Sequence, residues 1–186
     1  MIVADDFIED EVLEKLKDRS VWNHVVDYYT WYDCSREPSN VWEELIDEAV
    51  KRLSLPKPLG FEYWANDISE GSDIPWHVDK DERENGVNHK VVTSEYSCVF
   101  YGFPSIFWGG MLEIPVEDTK TEVERIAPKY NRIVMMPKGL EHRVTRVWTG
   151  NRLAFSFGAW NKKPWLFSES DKVESKFLKE LVYGEK

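Results

Sequence analysis

Hydrophobic positions in this chain follow two rhythms. Ile8, Val12, Leu13 and Leu16 recur at the spacing of a helix that lays one face on a core, predicting a helix over residues 8–17. A second stripe runs through Val41, Leu45, Ile46, Ala49, Val50 and Leu53. It follows Pro38-Ser39-Asn40, where Ser39 or Asn40 can cap the helix, and Pro56 and Pro58 stop it. From Leu59 onward the pattern shortens to β-like runs at 61–65, 74–78, 95–103, 111–114, 123–127, 132–136, 143–148 and 153–160. Short strands separated by turn residues predict an antiparallel sandwich or jelly roll. Residues 21–33, with Trp22, Tyr28, Tyr29, Trp31 and Tyr32, read as an irregular or strand-like cover on the core. An amphipathic stretch through Val173, Phe177, Leu178 and Leu181 predicts a closing helix.

The fold class expected is therefore mainly β with flanking α-helices, a double-stranded β-helix or jelly roll. A length of 186 residues suits one domain. Within it the helical N-terminal part takes residues 1–58, the jelly-roll core 59–160 and the C-terminal helix 168–184.

Composition narrows the function. Nine Trp, nine Phe and eight Tyr exceed what an ordinary surface needs, so most belong to core or pocket wall. The excess of 34 acidic over 24 basic residues gives a net charge of −10, which opposes binding to phosphate backbones and anionic membranes. Nucleic acid is thus a disfavoured partner. Cys34 and Cys98 form no metal-binding spacing and read as free thiols of a reducing compartment. With no basic and apolar leader and no run of membrane-spanning length, the expectation is a soluble, cytoplasmic protein.

The chemistry concentrates in Trp76-His77-Val78-Asp79, where period-2 geometry sets an imidazole and a carboxylate on one face. His142 supplies a candidate third ligand. Two His and one carboxylate make the facial triad of non-haem Fe(II) oxygenases, with positions left open for co-substrate and oxygen. Mn, Zn or Ni can substitute at such a face. Arg152, ten residues after His142, offers a planar fork for a carboxylate. Each residue alone has a plainer reading, as a hydrogen-bonded core histidine, an acidic turn or a surface ion pair. It is the ordered set that points to a metal site. His24 and His89 lack such surroundings and read as surface or structural.

The order His-x-Asp, distant His, then Arg resembles the 2-oxoglutarate- and Fe(II)-dependent dioxygenases, in particular the prolyl-hydroxylase branch. Ser97-Cys98-Val99-Phe100-Tyr101 and the later Gly109-Gly110-Met111-Leu112 look like that branch's strand ending in Tyr and its Gly-Gly-x-Leu hairpin. The resemblance covers roughly residues 59 to 160. It implies Fe(II) on His77, Asp79 and His142, with 2-oxoglutarate as co-substrate and ascorbate as a candidate reductant. Arg152 would hold the 5-carboxylate, helped by Tyr101 and Ser156, with Tyr63 a further candidate for the same pocket. In the family, decarboxylation of 2-oxoglutarate to succinate drives hydroxylation of an unactivated C–H bond. Related halogenases lack the carboxylate, so Asp79 implies hydroxylation. The chain departs from the branch at Ile74, where a Tyr is common, and at Arg152, where collagen-type members often have Lys.

The implied substrate is a prolyl residue of a protein or peptide. A nucleic-acid or small-molecule oxygenase of the same superfamily and a non-catalytic, cupin-like ligand-binding module stay open as alternatives. Trp76, Trp108 and Trp160 are candidates for the pocket wall. The charged loop 80–92, with Gly86 as a pivot, is either solvated surface or a lid over the substrate.

Overall fold

The computed structural model describes residues 1–116, 122–176 and 178. In chain order the elements are β1 (Ile2–Ala4), α1 (Asp10–Leu16), α2 (Arg19–Val26), β2 (Tyr28–Asp33), α3 (Val41–Arg52), β3 (Gly60–Ile68), β4 (Ile74–His77), α4 (Glu82–Asn88), β5 (Tyr96–Tyr101), β6 (Phe107–Gly109), β7 (Leu112–Pro115), β8 (Val123–Ile126), β9 (Arg132–Pro137), β10 (His142–Val144), β11 (Val147–Gly150), β12 (Arg152–Trp160) and β13 (Lys172–Glu174), with a 3₁₀ turn at Trp165–Phe167. The major sheet has the order β1-β9-β5-β12-β3-β2-β13, and the minor sheet β4-β10-β7-β8. A short β6–β11 ribbon completes the β structure. All strand pairs run antiparallel. The chain is mainly β with flanking helices, and its two larger sheets face each other as a jelly roll.

Alternation along β12 explains how one strand serves two cores. Leu153, Phe155, Phe157 and Ala159 point outward, into a cluster with Trp22, Trp42, Leu45 and Ile46 of α2 and α3. Ala154 points inward, against Val99, Tyr101, Leu112, Ile114 and Ile126 between the sheets. Every residue of β12 is buried as a result. Phe155 lies on the Trp42 indole, with ring centroids 4.6 Å apart and planes 27° from parallel. Each such aromatic side chain contributes about 1.5–3 kcal/mol by leaving water.

The start of α3 shows sequence fixing a boundary. Asn40 Oδ1 accepts the N–H groups of Trp42 and Glu43 at 3.0 and 3.1 Å, as an N-cap should. Glu43 in turn accepts Ser39 N–H at 2.7 Å and both Arg36 guanidinium nitrogens at 2.6 Å. The buried carboxylate is therefore satisfied on every side, as its burial demands.

Several elements differ from the sequence expectation. Residues 21–33 divide into most of a helix, α2, and the strand β2. Asp18 caps α2 by accepting Ser20 N–H at 2.9 Å, and Trp22 and Val25 form its buried face. The dense aromatics obscured that spacing. The run 143–148 breaks at Thr145 and Arg146 because β10 pairs with β4 and β7, whereas β11 pairs with β6.

The stretch from Lys80 is no open loop. Its central part is α4, capped by Asp81, whose side chain accepts Glu84 N–H at 3.1 Å. Asp81 also accepts the Trp165 N–H, and Arg83 bonds Ser168 and Glu169 while lying 4.6 Å from the Trp165 ring centroid. These contacts pin α4 to the turn beyond β12. Gly86 sits inside the helix, and the left-handed residue is the C-cap His89, at φ 53°.

At the other end, Lys172–Glu174 forms β13 on the edge of β2 where the amphipathic pattern predicts helix. The open backbone edge of β2 outweighs helical spacing there. Residues 175, 176 and 178 are helical, and the rest of the expected C-terminal helix lies outside the described residues.

Candidate active site

His77 ends β4 and His142 begins β10, and the two are direct partners across the minor sheet. Their imidazole centroids lie 4.3 Å apart. Asp79 follows β4 by two residues and turns its carboxylate to both rings, with Oδ1 at 3.7 Å from His77 Nε2 and 3.9 Å from His142 Nε2. One donor atom from each of the three residues thus lies within 4.8 Å of the others. The spacing suits a single ion touching all three.

The outer nitrogens fix the rings. His77 Nδ1–H donates to the Pro75 carbonyl at 2.9 Å, and His142 Nδ1–H donates to the Leu140 carbonyl at 3.0 Å. Each bond leaves Nε2 as the free lone pair aimed inward, which is how imidazole ligands are usually oriented. Burial, and then the neighbouring His142 ring, hold the His77 pKa below the ordinary histidine value. A neutral ring is the form that binds a metal. This donor set fits the Fe(II) expected from the sequence.

Arg152, the first residue of β12, is 1% exposed. Its Nε donates to the Gly110 carbonyl at 3.0 Å and one terminal nitrogen donates to Tyr101 Oη at 3.0 Å. No carboxylate among the described residues forms an ion pair with it. A buried guanidinium with only neutral partners is costly, and it is a strong receptor for an incoming carboxylate. Arg152, the three candidate metal ligands and Ser156 all line one cavity of about 230 Å³.

The structure brings together most, but not all, of the residues singled out in the sequence. Tyr101 touches Arg152 directly, and its ring lies 5.0 Å from the guanidinium carbon. Ser156 lines the cavity without bonding Arg152. Tyr63 is not brought to the cavity. Alternation on β3 turns Tyr63 to the outer core beside Phe61 and Ala65, where its hydroxyl donates to Glu43 and accepts from Asn40, each at 3.3 Å. Burial pushes that phenol up to about 12.

None of the three candidate wall tryptophans lines the cavity. Trp76 packs on Arg143, Trp108 is 71% exposed, and Trp160 joins a cluster with Trp31 and Phe167. The aromatic wall is instead Trp64, stacked on Tyr29 at 5.3 Å. Glu62 and Asn66 also face the cavity and went unread in the sequence. Their signal was present. On a strand buried on both faces, Glu62, Trp64 and Asn66 alternate with Phe61, Tyr63 and Ala65, so one face had to be polar.

Among the described residues no helix is long and apolar enough to cross a membrane. No match is found among curated protein sequences. Solved structures do resemble the fold. A prolyl-4-hydroxylase from Pseudomonas putida superposes with a TM-score of 0.62 at 15% identity, over 88% of this chain and 87% of that one. A viral collagen prolyl hydroxylase from Paramecium Bursaria Chlorella virus-1, solved as a 2OG complex, gives 0.59 at 14% identity over 87% and 96%. A Trichoplax adhaerens prolyl hydroxylase, in complex with a hypoxia inducible factor oxygen degradation domain peptide fragment, gives 0.52 at 13% over 91% and 87%. The model of one sequence family matches residues 63–160, the span that contains His77, Asp79, His142 and Arg152. By that match the chain belongs to the 2OG-Fe(II) oxygenase superfamily.

Proposed function

We propose that this oxygenase hydroxylates a C–H bond of a prolyl residue in a protein or peptide, using Fe(II) held by His77, Asp79 and His142, with 2-oxoglutarate as co-substrate. Arg152 is the observation that carries the co-substrate assignment. It is a buried, permanently charged fork without a carboxylate partner among the described residues, in the same cavity as the metal-ligand set. In this reading Arg152 receives the 5-carboxylate of 2-oxoglutarate and Tyr101 orients the guanidinium. Ser156 supplies a hydroxyl on the same inner face of β12. Bound Fe(II) and 2-oxoglutarate supply the oxidising chemistry. The chain's own residues place the co-substrate and aim both Nε2 atoms at one point.

Prolyl substrates are supported by the fold shared with prolyl hydroxylases, one of them bound to a peptide fragment. The net charge of −10 opposes a nucleic-acid substrate. The free thiols Cys34 and Cys98 support a cytoplasmic setting, and ascorbate is proposed as the reductant that keeps iron ferrous. The test is aerobic incubation with Fe(II), 2-oxoglutarate and a library of prolyl peptides. Succinate formation together with a gain of one oxygen on a peptide proline is expected. Absence of succinate under every condition would overturn the oxygenase reading, whereas oxygen gained on another residue would overturn only the proline assignment.

A further inference from the structure

The cavity has a second ionisable group, Glu62, which the proposed function leaves without a role. Glu62 is 5% exposed, and its side chain lines the same cavity as the metal-ligand set. In strand register it lies between Gly158 on β12 and Trp31 on β2. Gly158 has no side chain to cover the carboxyl. A Cβ there would already meet Ser94 Cβ at 3.2 Å and Trp160 Nε1 at 3.4 Å.

The charged groups that bear on Glu62 are Asp79, Asp81 and Glu82, all of its own sign. Burial first, and then these carboxylates, push its pKa well above the usual range, against a weaker opposing pull from the Trp160 indole N–H. The one lysine among the described residues of the cavity wall, Lys80, is already paired with Glu82 at 3.2 Å. No Lys, Arg or His among the described residues forms an ion pair with Glu62. Glu43 and Glu113, the other two buried glutamates among the described residues, each hold arginine partners at 2.6 Å. In its charged form a buried carboxyl without a cation is costly, so a ligand that brings a positive charge is favoured there.

The surroundings favour a cationic ligand over a neutral one. Trp64 is two residues from Glu62 on the same face of β3, and its indole stacks on Tyr29 at the cavity wall. Aromatic faces beside a carboxyl attract ammonium and guanidinium groups. Glu62 is also far from the co-substrate end. Its register partner Gly158 is six residues along β12 from Arg152, roughly 20 Å at the rise of a strand.

We propose that the substrate carries a positively charged nitrogen, which Glu62 receives between the Tyr29–Trp64 pair and the metal-ligand set, at the end of the cavity opposite Arg152. This rests on the reading of the cavity as an oxygenase site. The nitrogen is either the side chain of a Lys or Arg beside the reacting residue in a peptide or the amino or imino nitrogen of a free amino acid.

The test measures binding by calorimetry, without oxygen, to protein loaded with Fe(II) and 2-oxoglutarate. Matched probes separate the two sources of charge: prolyl peptides flanked by Lys or Arg against the same peptides with norleucine or citrulline, and L-proline against N-acetyl-L-proline. At least one charged member should bind about tenfold to a hundredfold more tightly than its neutral match, as a charge-assisted bond in a buried site implies. That ratio should fall to about one in Glu62→Gln. Should Glu62→Gln fail to fold, Tyr29→Leu should still reduce the ratio about threefold or more through the lost aromatic face. Equal binding within every pair, or a ratio that survives Glu62→Gln, overturns the proposal. Succinate formed without substrate keeps the two failures apart: if it is present while charge preference is absent, only the Glu62 assignment falls, and if it is absent, the oxygenase reading falls first.

Discussion

His77 and His142 are direct partners across the antiparallel pair β4–β10, so one strand register fixes both imidazoles toward a common point. A slip of one residue would turn one ring to the opposite face. The two imidazoles are thus as rigid as the minor sheet, and Asp79 joins them from the segment just beyond β4.

Replacing either ring should therefore remove the metal without removing the fold. Loss of a residue that only orients a ligand commonly lowers metal affinity about 10–100-fold, so His77→Ala or His142→Ala should lower it by more. Calorimetric titration with Fe(II) or Mn(II) measures this, and a melting curve checks the fold. Retention of full affinity in either variant would show that the triad is not the metal site.

Arg152→Lys tests the opposite end. The lysine keeps the charge but loses the fork that now bonds Gly110 and Tyr101. Affinity for 2-oxoglutarate should fall about tenfold to a hundredfold, the value of a charge-assisted pair of a few kcal/mol. Metal affinity should stay unchanged. Tyr101→Phe removes the hydroxyl that accepts from the guanidinium and should cost about 1 kcal/mol, or roughly fivefold in 2-oxoglutarate affinity. Titration of the co-substrate at saturating metal reads both, and unchanged affinity in Arg152→Lys would assign the carboxylate to another cation.

How much of this was legible beforehand depended on whether a residue's role was local. A cap at Ser39 or Asn40 for α3 and a strand over 153–160 followed from spacing, because caps and alternation act within a few residues; the structure makes Asn40 the cap and starts the strand one residue earlier, at Arg152. The partnership of His77 with His142 involves residues 65 positions apart, and a periodicity analysis alone does not supply it. It was the resemblance of ordered motifs that brought them together. The sides of β3 were the missed step. Tyr63 drew attention as a phenol, yet in a strand covered on both faces the informative residue was the charged neighbour Glu62, which the inner face had to accommodate. Residues 80–92 misled for a different reason. A charge run is normally solvated, but here Asp81 and Glu84 form a helix N-terminus and Arg83 finds partners beyond β12.

Glu43 gives the fold a specific acid sensitivity. Burial alone would raise its pKa, but bonds from Arg36 and Ser39 hold it below the ordinary carboxylate value. A depressed carboxylate contributes stability that is fully present above the unfolded-state value of about 4.3 and is lost as pH falls through the lower folded value. Arg36→Ala leaves this buried acceptor short of its main partner and should destabilise the protein by about 1–3 kcal/mol at neutral pH. The difference between wild type and variant should narrow as pH drops below about 4.3. Urea unfolding at a series of pH values measures it, and a difference that grows on acidification would contradict the assignment.

Gly110 links the Gly-Gly hairpin to Arg152 through contact as well as conformation. Its φ is +63°, and a Cβ at this position would come within 2.6 Å of Arg152 Cδ and 3.4 Å of Nε. The glycine carbonyl is meanwhile the acceptor for Arg152 Nε. Gly110→Ala must therefore push the arginine stem out of place, and neither the fork nor its bond to Tyr101 survives that shift unchanged. Gly139 is a suitable comparison, since its φ of +66° carries the same left-handed strain while nothing lies within 4 Å of its would-be Cβ. Both alanine variants should lose about 1–2 kcal/mol of stability to the backbone conformation. Only Gly110→Ala should also weaken 2-oxoglutarate binding, by about tenfold or more if the charge-assisted pair is misplaced. Metal affinity should be retained in both, because His77, Asp79 and His142 take no part in this contact. Measuring melting temperature, metal affinity and 2-oxoglutarate affinity on the two variants side by side separates strain from displacement. Equal 2-oxoglutarate affinity in both would mean that Arg152 does not need the space that Gly110 leaves.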